Sequence, residues 1–161
     1  MQLIGAVQSL YTPLSNGIYP QMVKQKRLKL VLRVFFTILP FIIIGCIFTY
    51  YLSDQLLYII AGEKYIEGAR LLQYLIPVLL FSFPVFLFGW PALGAIGRQK
   101  ENTFATFIAA GFQILCVLML VVLNHFTLLN IAIVRNITEL ILMLSVLFYV
   151  YKYRNEFNYN M

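Results

Sequence analysis

Arg135 and Glu139 lie four residues apart inside an otherwise apolar segment, IVRNITELILMLSVLFYVYKYR, which runs from Ile133 to Arg154. Four residues make a little more than one helical turn, so in a helix the two side chains meet on one face. Two kinds of chemistry fit that spacing. One is a local ion pair that helps assemble helices in lipid, although base before acid is the less favourable order along a helix. The other is a carboxylate facing an aqueous cavity, where it could carry a proton or bind an ion, with the arginine as an anion contact.

Helical placement separates the segment into two sides. At about 100° per residue, Arg135, Asn136, Thr138, Glu139, Ser145 and Tyr149 fall within half the circumference, with Leu142, Met143, Val146 and Val150 among them. Ile133, Ile137, Leu140, Ile141, Leu144, Leu147, Phe148 and Tyr151 occupy the other side, which suits lipid. At a rise of about 1.5 Å per residue, Arg135 lies roughly 8 Å and Glu139 roughly 14 Å in from the outer end. The arginine can reach the interface. The glutamate cannot, and a charge at its depth costs several kcal/mol unless paired, protonated or hydrated.

Further residues of interest lie in other apolar stretches. Arg33 stands about five residues into the first of them, where it can snorkel to headgroups or face a basic cavity. Pro77, Pro84 and Pro91 recur every seven residues, close to two helical turns, and therefore share one face. Each removes a backbone hydrogen bond, so they are ordinary membrane-helix prolines or hinge candidates in a bent helix lining a cavity. Pro40 is a milder instance. Asn136 stands beside Arg135 as a further substrate-binding or coupling candidate.

The elements that must position these residues follow from composition. Of 161 residues, 61% are hydrophobic and 11% charged, and mean hydropathy is +0.84. Soluble domains carry about a quarter charged residues, so the chain is read as an all-α integral membrane protein. A bilayer core about 30 Å thick needs about 20 apolar residues. Four stretches meet that length, at about 28–52, 71–96, 103–123 and 130–151, and residues 1–22 read as the last part of a fifth helix. DQLLYIIAG and the residues after it suggest a short surface helix broken at Gly62 and resuming near Tyr65.

The net charge of +6 is distributed between these stretches. VKQKRLK, GRQKEN and the tail after Tyr151 are basic. SDQLLYIIAGEKYIEGAR holds Asp54, Glu63 and Glu67 against Lys64 and Arg70, and NHFTLLN has no Lys or Arg. Alternating basic links place those links and the C-terminus in the cytoplasm by the positive-inside rule. Clustered in this way, the charge indicates topology and not nucleic-acid binding. Met1 is followed by neither a basic region nor a small-residue cleavage site, so no secretory signal is expected.

No Walker loop, nucleophile elbow, HExxH motif or paired catalytic carboxylates are found, so an enzyme is not expected. Glu63 and Glu67 stand four apart and read as a solvated helix face. Cys46 and Cys116 lack metal-ligand spacing and read as packing residues, and His125 reads as a loop residue. No metal or cofactor is expected. The glycosylation pattern at Asn136 to Thr138 lies within an apolar segment and is set aside.

Four segments in order resemble polysaccharide exporters of the O-antigen flippase type. PLSNGIYPQMVK resembles the cytoplasmic end of one of their helices, and IIAGEKYIEGARLLQYLIPVLLF their recurrent outer segment with the proline-bearing span after it. ALGAIGRQKENTF resembles the small-residue basic turn, and NITELILMLSVLFYVYKY the final helix, which commonly carries a polar or acidic residue. The wider superfamily also holds multidrug extrusion transporters and lipid II flippases. The resemblance implies the C-terminal portion of a two-lobe exporter of about twelve helices, with the N-terminal lobe missing from this chain. Such an exporter flips undecaprenyl-diphosphate-linked oligosaccharide across the bacterial inner membrane by alternating access. Arg33 and Arg135 would contact the diphosphate and sugar, and Glu139 would couple or position. Its partners would be the lipid-linked substrate, membrane lipid and the polysaccharide polymerase machinery. The alternatives are a truncated, non-transporting membrane protein and a drug or cation antiporter of the same superfamily.

Overall fold

A computed structural model describes residues 2–63 and 68–157. The described residues are almost wholly helical, with no strand among them. Four helices are long and apolar enough to cross a membrane: α3 (Leu28–Tyr51), α5 (Ala69–Leu87) continued by a π-helical segment (Phe88–Leu93), α6 (Gln99–Val122) and α7 (Leu128–Lys152). Their mean hydropathies run from 2.0 to 2.6, and no charged run interrupts them. The chain is a multi-pass, all-α protein of membrane type. The shorter helices are α1 (Gln2–Ser9), α2 (Tyr11–Gln25) and α4 (Ser53–Ala61).

The expected partial helix at 1–22 is two helices meeting at Leu10, and Pro13 and Pro20 both lie in the second. Helix α2 ends where Lys26 turns left-handed at φ +49° and donates its N–H to the Met22 carbonyl. Helix α4 is the expected short helix, and it stops at Gly62, whose φ of +87° favours glycine. Its expected resumption near Tyr65, together with Lys64 and Glu67, lies outside the described residues.

Helix α5 is central. In its most apolar window 56% of residues are buried, against 11% in α3 and α6 and 22% in α7. It packs against α7 on one side and α3 on another, while α6 packs on α7. Large apolar side chains of α3 and α6, such as Phe36, Phe41, Phe107 and Leu115, stay exposed on the outside, as a lipid-facing surface requires. The core has two parts. One gathers Met22, Val31, Phe83, Leu87, Leu93 and Val146 toward the end with the basic links. The other gathers Cys46, Leu72, Leu75, Leu79 and Ala132 toward the opposite end.

The expected span at 71–96 is not one regular helix. Pro77 and Pro84 lie within α5, half-buried and buried, but Pro91 lies in the π-helical segment and is buried there. In π register the carbonyl five residues before Pro91 is that of Phe86, which proline cannot serve. The Ser15 hydroxyl donates to it at 3.0 Å, and the Tyr11 hydroxyl donates to the Leu79 carbonyl at 3.3 Å. Helix α2 thus braces the proline-bearing span. A Cβ on Gly89 would stand 2.7 Å from Asn102 Oδ1, so a larger residue there would require the Asn102 side chain to move.

A clamp closes the end with the basic links. Arg98, between the π-helical segment and α6, donates from Nε to Glu156 Oε2 at 3.1 Å and from Nη2 to Oε1 at 2.5 Å. It also reaches Glu101 Oε1 at 3.4 Å and lies 4.1 Å from the Tyr153 ring centroid. Phe157, one residue beyond, is buried in the core cluster with Met22 and Leu28. The hydrogen bonds from Arg98 hold the Glu156 carboxyl below the usual carboxylate range, and the charges of Arg98 and Lys26 act in the same sense. An acid whose folded pKa is depressed contributes fully above its ordinary value of about 4.3 and loses that contribution as pH falls through the depressed one. A spin label at Asn155→Cys, with Cys46 and Cys116 replaced by alanine, is therefore expected to stay immobile from pH 8 to 5. It should loosen only below about pH 4. In Arg98→Gln it should be mobile across that whole range.

Candidate functional site

Helix α7 is N-capped by Thr127, whose hydroxyl accepts from the Asn130 N–H at 3.2 Å, so the helix starts at Leu128, two residues before the expected 130. Counted from Leu128, Arg135 is roughly 10 Å and Glu139 roughly 17 Å along a helix about 37 Å long. The glutamate is near mid-span. The expected division of faces is present: Ile133, Ile137, Leu144, Phe148 and Tyr151 are exposed, while Ala132, Thr138, Glu139, Val146 and Val150 are buried.

Arg135 Nη2 stands 3.0 Å from Glu139 Oε2, with side chains 33% and 5% exposed. Arg135 Nη1 also donates to Gln113 Oε1 on α6 at 3.3 Å. Both charged residues line a cavity of about 330 Å³ between α1, α5, α6 and α7, open on one side. Gln8, Thr106, Gln113 and Thr138 supply further polar wall, and Val85, Phe86, Ala109, Ala110 and Leu142 the apolar wall. Gln8 Nε2 donates to Ser82 Oγ at 2.9 Å, and Ser82 donates in turn to the Val78 carbonyl. A hydroxyl and amide relay therefore links α1 to the backbone of α5 at the residue after Pro77.

The two readings of the charged pair thus coexist. Glu139 faces its neighbour and a cavity. The small side chains Ala109 and Ala110 leave the space on α6, and Arg135 supplies a partly exposed cation at its edge. A carboxylate and a guanidinium beside uncharged hydrogen-bonding groups can hold a polar or anionic moiety and neutralise or release a proton as it moves.

The remaining sequence candidates are placed elsewhere. Asn136 does not line the cavity. Its Nδ2 donates to the Tyr74 carbonyl of α5 at 2.6 Å and to the Ala132 carbonyl at 2.9 Å, joining the two most closely packed helices. Its Oδ1 is buried and has no donor among the described residues. Asn136→Leu is expected to cost about 1 kcal/mol, the scale of a hydrogen bond between membrane helices. Asn136→Asp should cost more, since an ionised carboxylate would face two carbonyl oxygens. Thermal unfolding of the two variants in detergent checks the order.

Arg33 lies exposed near the start of α3, at the opposite end of the bundle from Arg135. The structure does not bring the two arginines together. Pro84 and Pro91 face the core, and the cavity is lined by Val85 and Phe86, the two residues that follow Pro84. Cys46 and Cys116 are unpaired thiols, buried and half-buried, and His125 lies exposed in the α6–α7 loop.

Sequence reasoning missed Gln113, Gln8 and Thr106. Gln113 carried a signal, a lone amide in the apolar run TFIAAGFQILCVLM. Gln8 and Thr106 carried none that separates them from ordinary helix polarity. No family model, curated protein or solved structure matches the chain.

Proposed function

We propose that this chain is the C-terminal part of a membrane exporter that flips a lipid-linked oligosaccharide by alternating access. In this reading the Arg135–Glu139 cavity contacts the polar head while the polyprenyl tail stays in lipid. One observation carries the reading: a mid-span carboxylate and a partly exposed arginine line an open cavity of about 330 Å³, which a purely structural ion pair would not need. The ordered likeness of four segments to polysaccharide exporters supports the substrate class. The brace of α2 on the proline-bearing span supports a bundle built to bend at Pro84 and Pro91. A second lobe would close the open side of the cavity, and the polysaccharide polymerase machinery would consume the product.

Glu139→Gln, placed in the complete transporter, tests it. The variant keeps the shape of the side chain and removes its titration, so surface-glycan export should fall about tenfold or more at unchanged protein level. Unchanged export sinks the coupling role. A non-transporting subunit is the second reading, favoured by the 3.0 Å contact between Arg135 and Glu139, and it expects deletion of the gene to leave surface polysaccharide intact. An antiporter of drugs or cations expects the variant to change drug resistance instead.

The proposed orientation puts the C-terminus in the cytoplasm of a bacterium, with the protein in its inner membrane. Lys24, Lys26, Arg27 and Lys29, with Lys100, Lys152 and Arg154, gather at the end that carries the C-terminus. A fluorescent protein fused after Met161 should glow and an alkaline phosphatase fused there should be inactive. The reverse pattern overturns the orientation.

A further inference from the structure

At the end of the bundle opposite the basic links, a second cavity of about 380 Å³ is lined by Tyr50, Arg70, Gln73 and Tyr74. It shares no lining residue with the Arg135–Glu139 cavity. Unlike that cavity, its wall is more polar than apolar.

Its donors and acceptors are arranged in advance. Gln73 Nε2 donates to Ser53 Oγ at 2.8 Å and to the Tyr50 carbonyl at 3.4 Å. The amide is thereby fixed and presents Oε1 as an acceptor. The Tyr74 backbone is held in turn by Asn136 at 2.6 Å. Tyr50 and Tyr74 are 49% and 45% exposed, so their phenol groups are free to meet a ligand.

Arg70, the second residue of α5, is exposed and makes no ion pair with an acid among the described residues. It differs in this from Arg98, which binds two carboxylates, and from Arg135, which binds one carboxylate and one amide.

A guanidinium with no acid paired to it among the described residues disfavours a metal cation, and a neutral ligand would leave it unmatched. The ligand that fits is an anion with several acceptor oxygens, which the guanidinium can meet with two parallel hydrogen bonds. Arg70 stands at the first turn of a membrane span, the depth at which lipid phosphates lie. The cavity is larger than a phosphate alone requires, leaving room for the hydroxyl-bearing group joined to it. Gln73 Oε1 and the tyrosine faces suit such a group.

We infer that this pocket binds the phosphoryl group of a membrane lipid, with Arg70 as its anion contact and the Tyr50 and Tyr74 hydroxyls as further donors. The inference does not need the exporter reading. The phosphate could belong to a glycerophospholipid or to a polyprenyl diphosphate, and the experiment separates these.

The purified full chain in detergent is titrated with phosphatidylglycerol, with a polyprenyl diphosphate and with uncharged diacylglycerol, and bound lipid is read by native mass spectrometry. At least one phosphate-bearing lipid is expected to bind, and diacylglycerol is not. Arg70→Gln should weaken binding about tenfold to a hundredfold, the scale of a charged hydrogen-bonded contact. Arg70→Lys should keep part of it and Tyr74→Phe should lose a few-fold. Lys100→Gln, a cation at the other end, should leave it unchanged. Equal binding by Arg70→Gln and the parent chain overturns the inference, as does equal binding of diacylglycerol. Binding of phosphatidylglycerol alone through Arg70 upholds the pocket and removes its support for the exporter reading. Loss of export in Glu139→Gln with lipid binding intact separates the two sites.

Discussion

Arg135→Ala is expected to destabilise the protein by about 1–3 kcal/mol, since Glu139 is buried while Arg135 is a third exposed at the cavity edge. The Glu139 side chain is only 5% exposed, and the Arg135 guanidinium is its cation at 3.0 Å. Without it the carboxylate stands near mid-span with no opposite charge, and Gln113 loses its contact as well. Glu139→Gln in the same chain should recover most of the loss, because the uncompensated charge is gone. Thermal unfolding in detergent measures both. If the double variant is no more stable than Arg135→Ala alone, the pair does not hold the helices. This result is independent of transport, which Glu139→Gln by itself addresses.

Phe83→Ala is the second large effect, about 3–5 kcal/mol. Phe83 is fully buried, stacked on Phe35 of α3 at 5.5 Å between ring centroids and tilted against Tyr11 of α2 at 5.4 Å. One side chain of the central helix thus joins two neighbours. In lipid the loss comes from forfeited packing, since hydrocarbon solvates an exposed ring about as well as the core does. Each aromatic pair adds about 0.5–1.5 kcal/mol beyond burial. Phe83→Leu keeps most of the volume and should lose well under half as much. A melting temperature for Phe83→Ala within a degree of the parent would show that Tyr11 and Phe35 repack without it.

Much of the fold was legible in the sequence, because lipid demands about 20 apolar residues per crossing and this chain has few other long runs. The first span, expected at 28–52, is Leu28–Tyr51. The third, expected at 103–123, begins instead at Gln99. Lys100 and Glu101 read as a link by polarity, yet both are good helix formers and simply continue the helix beyond the apolar zone. The π-helical segment at Phe88–Leu93 was not legible. Seven-residue proline spacing suggests a regular helix, and the change of register depends on tertiary neighbours such as Asn102 and Ser15.

The candidate site was half legible. Periodicity put Arg135, Thr138 and Glu139 on one inward face. It could not say that Asn136, one residue on, turns toward α5 and leaves the cavity. Nor could it place Arg33 at the far end of the bundle, since sequence depth says nothing of which helices adjoin. The Arg98–Glu156 clamp joins residues 58 apart and leaves no periodic trace.

The π turn also bears on how this chain tolerates changes of length. An α-helix advances about 100° per residue, so one residue added or removed normally swings everything beyond it onto another face. A π turn already holds one residue more than the regular helix needs. Removing a single residue between Phe88 and Leu93 would let the segment run on as plain α-helix with its two ends still addressing the same neighbours. The same deletion near Leu79 would carry Phe83 out of its contacts. Length variation in this span is therefore absorbed at one place, beside Gly89, and forbidden nearly three turns earlier.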